Sequence, residues 1–172
     1  MRTALLILLG LFLAITPAAA RLGETLDQLK ARFGAPSPYA RSANVFSQGH
    51  AYEIGKIWNF RSGDWSIECT LISGVCVQIT YTKANEMTDE QVATLLSNEA
   101  QGSKWAVVND VNSTVSSILF PTFKPGKWKR DDGTHASKMS NAITFTTPDY
   151  DKAVAAAQQQ GQVEAQKMPS NL

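Results

Sequence analysis

Apolar positions along this chain recur with two different periods, and each change of period marks a boundary. Leu22, Leu26, Leu29 and Phe33 fall at helical spacing and make one apolar face. Thr25-Leu26-Asp27-Gln28 has the spacing of a capping box, in which a Thr hydroxyl covers an early backbone N–H and a Gln three residues on reaches back. A helix is therefore predicted to start there, and Gly34 followed by Pro36 stops it. After a polar loop over 39–48 the pattern turns to extended segments rich in aromatic and β-branched residues. Strands are predicted over 51–60, 64–71 and 75–82, with turns at Arg61-Ser62-Gly63 and Ile72-Ser73-Gly74.

The second half repeats this order. Thr88-Asp89-Glu90-Gln91 is again a capping box, Met87 and Val92 can staple its entry, and Val92, Leu95 and Leu96 form the apolar face. After a Ser/Asn/Pro-rich connection containing Trp105, strands are predicted over 127–130, 134–139 and 142–147, with hairpin signals at Asp132-Gly133 and Ser140-Asn141. Thr147-Pro148-Asp149 reads as an N-cap with Pro at the first helical position, and Tyr150, Val154 and Ala157 line one side of a terminal helix over 148–161. The polar stretch 162–172 offers little apolar surface and is expected to be a flexible tail.

The capping Thr recurs 63 positions on, from Thr25 to Thr88, and a Trp recurs 70 positions on, from Trp58 to Trp128. The common order is the signature of an internal duplication with one loop lengthened. The predicted fold is α+β: two helix-plus-three-stranded-meander repeats, 21–84 and 85–147, forming antiparallel sheet packed against helices, followed by the C-terminal helix.

Residues 1–20 stand apart from this pattern. Arg2 gives a positive start, 5–15 is almost unbroken Leu, Ile, Ala and Phe, and Pro17-Ala18-Ala19-Ala20 supplies a breaker and small residues for cleavage before Arg21. This is the pattern of a secretory signal peptide, so the protein is expected to be exported, periplasmic or secreted. No second apolar run follows that could hold it in a membrane. Without Arg2 the chain carries 15 basic and 15 acidic residues. The longest basic cluster, Lys127-Trp128-Lys129-Arg130, is answered at once by Asp131 and Asp132, so nucleic acid is not an expected partner.

Candidate chemistry is sparse. The two histidines, His50 near Glu53 and His135 near Asp131 and Asp132, stand at no metal-ligand spacing, and no Ser occupies a Gly-x-Ser-x-Gly elbow. No cofactor, metal or catalytic residue is expected. The two cysteines, Cys69 and Cys76, set compartment against geometry. Export favours a disulfide. Matching the alternating faces of the two strands pairs Leu71 with Val75, which points Cys76 away from Cys69 unless a bulge or shifted register intervenes. The aromatic residues are more informative: Tyr52, Trp58, Trp65 and Trp128 lie in the predicted sheet, where an exposed Trp or Tyr anchors a partner and a covered one fills the core.

A capping-box helix ending in Gly34-Ala35-Pro36 and followed by an aromatic-rich meander resembles the repeat of the β-lactamase inhibitor protein and of SmpA/OmlA-type outer-membrane assembly proteins. The resemblance covers about residues 22–147. It implies two tandem repeats that bind a protein through aromatic residues on a concave sheet. This chain departs from it by lacking the lipid-anchor Cys of the assembly proteins, by having Cys in its first half only, and by lacking Gly-x-Pro after its second helix. The chain also resembles small exported bacterial proteins. The expected function is a non-catalytic binding or inhibitory module for another extracytoplasmic protein, with Trp58, Trp128, Tyr52 and Trp65 as its contacts. The alternative is a small hydrolase or envelope-processing enzyme using His50 or His135.

Overall fold

The computed structural model describes residues 21–108 and 126–167. The predicted signal peptide lies outside the described residues, as does the end of the predicted tail, 168–172. The architecture is α+β, with three helices and one eight-stranded antiparallel sheet among the described residues. In chain order these are α1 (Leu26–Phe33), β1 (Arg41–Ser47), β2 (His50–Ser62), β3 (Trp65–Ile72), β4 (Val75–Thr82), α2 (Asp89–Asn98), β5 (Ala106–Val107), β6 (Gly126–Lys129), β7 (His135–Met139), β8 (Ala142–Thr146) and α3 (Pro148–Lys167). The sheet order is β1-β2-β3-β4-β8-β7-β6-β5, so two four-stranded meanders meet at the β4–β8 ladder.

Both capping boxes form. The Thr25 N–H donates to Gln28 Oε1 at 2.8 Å and the Thr88 N–H to Gln91 Oε1 at 3.1 Å, with the reciprocal bonds present in each helix. Helix α1 ends as expected on Gly34, whose φ of 83° only glycine adopts freely. Helix α2 has no such glycine. Its last carbonyls are taken instead by side chains from farther along the chain: the Trp105 indole N–H donates to Leu96 O at 2.7 Å, and the buried Arg130 guanidinium donates to Glu99 O and Ala100 O.

Four expectations need correction. Each meander has four strands, because the 39–48 segment contains β1 and the stretch after Trp105 contains β5. Those strands lack a clear alternation since both lie at sheet edges, where half the backbone needs no partner. The β3–β4 hairpin pairs Ile72 with Val75 and Leu71 with Cys76, around a two-residue turn in which Ser73 and Gly74 have φ of 51° and 82°. A register shift after Thr70 then restores Cys69 opposite Ile79. The hydroxyl of Thr147 is buried without a hydrogen-bond partner and so does not cap α3. Helix α3 also continues to Lys167, because Gly161 is buried against β1 and β2 and does not end the helix; a Cβ there would lie 2.3 Å from Ser47 Oγ.

One face of the sheet carries the core. Phe60, Ile67, Cys69, Ile79, Tyr81, Ile143 and Phe145 are buried there together with Leu29, Val92 and Leu95 from the first two helices. The Phe33 ring packs on Phe60 at 5.6 Å, and Trp105 packs on Phe145 at 5.7 Å.

Candidate binding surface

The ladders place every predicted aromatic contact. Reading partners across six strands, Trp58, Cys69, Ile79, Phe145, Ala136 and Trp128 form one cross-strand row on the buried face. Trp58 and Trp128 are half-buried and packed against the core cluster, as is Trp65. The Trp65 ring meets Tyr81 edge-on at 6.2 Å, with the Lys83 ammonium 4.9 Å above it. The Trp128 ring folds back over Gly126, where a Cβ would approach it to 2.1 Å. Beside it, Val92, Leu96, Trp128 and the buried Lys138 line an apolar cleft of about 350 Å³. Tyr52 lies apart from these three. Its pairing with Val45 across the β1–β2 register shift puts it beside α3, where its hydroxyl donates to Glu164 Oε2 at 2.7 Å. Glu164 raises the Tyr52 pKa, first by that hydrogen bond. The four predicted residues therefore do not share one patch.

The opposite face is polar. Its middle row runs Asn59, Glu68, Thr80, Thr144, Ser137 and Lys127, of which none is buried. Parallel rows hold Arg61, Ser66, Thr82, Ala142 and Met139 on one side, and Ile57, Thr70, Gln78, Thr146, His135 and Lys129 on the other. Thr80 and Thr144 share a hydrogen bond of 3.0 Å across the seam between the meanders. Gln78 links Thr70 to Thr146 at 3.4 Å on each side. Helix α3 leaves β8 at the end of this face and lies against β1, β2 and β4.

The histidines are kept apart by that helix. His135 Nδ1 is 3.6 Å from Asp151 near the start of α3, whereas His50 acts electrostatically on Glu164 near its end. Glu164 lies thirteen helical positions beyond Asp151, about 20 Å along the axis. His135 thus has a carboxylate partner, but it is one that sequence proximity did not indicate. Among the described residues no three His, Cys, Asp or Glu side chains are grouped to hold a metal ion.

Sequence reasoning missed a buried polar cluster around Glu99. Its carboxylate accepts from the Leu22 N–H and the Tyr81 hydroxyl, both at 3.2 Å, and is fully buried. Burial pushes its pKa up to about 7, against the opposing pull of those two hydrogen bonds. Glu99 follows a polar helix end in the sequence, and no pattern marked it as interior. The basic cluster is resolved too: Arg130 is buried and ion-paired with Asp132, holding that carboxyl down to about 2.

Comparison with protein families, curated proteins and solved structures finds no match. No helix of the described residues is long and apolar enough to cross a membrane.

Proposed function

We propose that the chain is an exported, non-catalytic module that binds or inhibits another extracytoplasmic protein, and that its partner sits on the polar sheet face. The observation carrying this reading is the continuous surface of half-exposed side chains that crosses six strands and the seam between the meanders. Backbone hydrogen bonds already hold this platform rigid, so a partner meets pre-organised groups and little ordering entropy is lost on binding. On this reading Trp58, Trp65 and Trp128 close the core, and Tyr52 marks the edge of the platform where α3 docks.

We also infer that the two meanders arose by duplication, with α1 and α2 covering the same sheet face in each copy. Trp58 pairs three residues before the end of β3, and Trp128 pairs three residues before the end of β7. Both helices enter through the same Thr-x-x-Gln box, and both lead into four antiparallel strands. The separation of His50 from His135 weighs against the hydrolase alternative in the form that brings the two together.

The test is capture of partners from the exported fraction by the parent protein and by a Thr80→Lys/Thr144→Lys variant, with His50→Ala/His135→Ala beside them. A specific partner lost at least tenfold by the lysine variant, and kept by the alanine variant, is the expected result. Equal capture by the lysine variant, with its melting temperature unchanged, places the partner elsewhere.

A further inference from the structure

We propose that Cys69 and Cys76 are a thiol pair that closes to an intramolecular disulfide across the β3–β4 bulge. They are the only two cysteines in the chain, and both are fully buried and free in this structure. Continuing the ladder regularly from Cys69 opposite Ile79 and Thr70 opposite Gln78 would bring Val77 to Leu71 and turn Cys76 to the other face. The bulge leaves Val77 as the extra residue, and Cys76 becomes the partner of Leu71. Cys76 thereby comes round to the face of Cys69. The Cys76 thiol donates to Gln78 O at 3.4 Å, and its neighbour Cys69, followed by burial, raises its pKa well above the ordinary thiol value. A one-residue irregularity in an otherwise regular hairpin thus has a specific consequence, the meeting of the two sulfurs in an apolar interior.

Closure removes two protons and two electrons from the thiol pair. A disulfide reagent takes up both electrons: one thiolate attacks its S–S bond, releasing one thiol and leaving a mixed disulfide. The second thiolate then displaces the other half as a second thiol. Burial keeps both thiols out of reach of a reagent in the folded protein. The bond therefore forms while the hairpin is still open to solvent, and the two-residue turn brings the cysteines together early. The inference does not depend on the partner-binding reading.

The experiment refolds the full chain from a reduced, unfolded state in mixed oxidised and reduced glutathione. It then quenches with acid, alkylates under denaturing conditions and measures intact mass. Expected is a product that takes up no alkyl group before reduction and two after it, with a melting temperature about 5–10 °C above that of the reduced protein. Cys69→Ser and Cys76→Ser should each leave one thiol, free or bound to glutathione. Two alkylated thiols in the refolded parent, glutathione adducts on it, or disulfide-linked dimers would each overturn the proposal, and the parent's mass alone decides should a variant fail to fold.

Discussion

Trp58 and Trp128 lie in the same cross-strand row of the sheet, on β2 and β6, with Cys69, Ile79, Phe145 and Ala136 between them. Five strand spacings separate their backbones, about 24 Å. They bracket the core from its two sides. Trp58→Ala and Trp128→Ala should each lower stability by about 3 kcal/mol in urea unfolding, while leaving partner capture through the polar face unchanged at temperatures where the variants stay folded. Loss of capture with unchanged stability would instead make these side chains partner contacts.

Gly126 makes room for the Trp128 ring. Gly126→Ala pushes a methyl group into that ring and should cost about 1–3 kcal/mol. A shift in tryptophan fluorescence that disappears in the Trp128→Phe background would locate the disturbance.

Glu99 sets a pH dependence whose sign follows from its raised pKa. Its folded value of about 7 exceeds the ordinary 4.5, so between these limits the folded state holds a proton that the unfolded chain has released. The contribution to stability is complete below about pH 4.5 and is lost as pH rises through 7, on the order of 3 kcal/mol for a group this buried. Asp132 acts in the opposite sense: Arg130 holds its pKa near 2, so its contribution is present above the ordinary 3.8 and fades as pH falls through 2. Its side chain is nearly half exposed, which keeps that contribution below about 1 kcal/mol. Glu99→Gln should flatten the curve between pH 5 and 7.5, as read by chemical unfolding at a series of pH values.

Gly161 is the contact through which α3 sits on β1 and β2. Gly161→Val drives a side chain into Ser47 and Tyr52 and should free the end of the helix. Limited proteolysis would then cut between Gln158 and Lys167 at least tenfold faster than in the parent, whereas Gln159→Val, at an exposed position, should not change the rate.

Local signals were legible wherever a short segment decides its own conformation. The Thr-x-x-Gln boxes, Gly34 and the Asp132-Gly133 and Ser140-Asn141 turns each act over a few residues, and each is found where its chemistry puts it. What the sequence hid depends on distant partners. Arg130 and Trp105 complete α2 from across the fold, and Glu99 becomes interior only because Leu22 and Tyr81 close over it. The face of Cys76 turns on one bulge, which shifts the register by a residue without any change of composition. The aromatic contacts illustrate the same limit: alternation gives Trp58 and Trp128 a common face but does not say which face the helices cover.

The β4–β8 ladder has a consequence for the order of assembly. The β1–β2, β2–β3, β3–β4, β6–β7 and β7–β8 hairpins close over turns of a few residues, such as Ser73-Gly74, and such closures take microseconds. The seam joins residues such as Thr80 and Thr144, 64 positions apart, and the Ser47 hydroxyl reaches Gln158 O across 111. Each of these steps must first meet the entropy of closing a long loop. The two meanders should thus acquire structure separately, the seam should form later, and α3 should dock last, so that the polar platform comes into being only once both halves have joined.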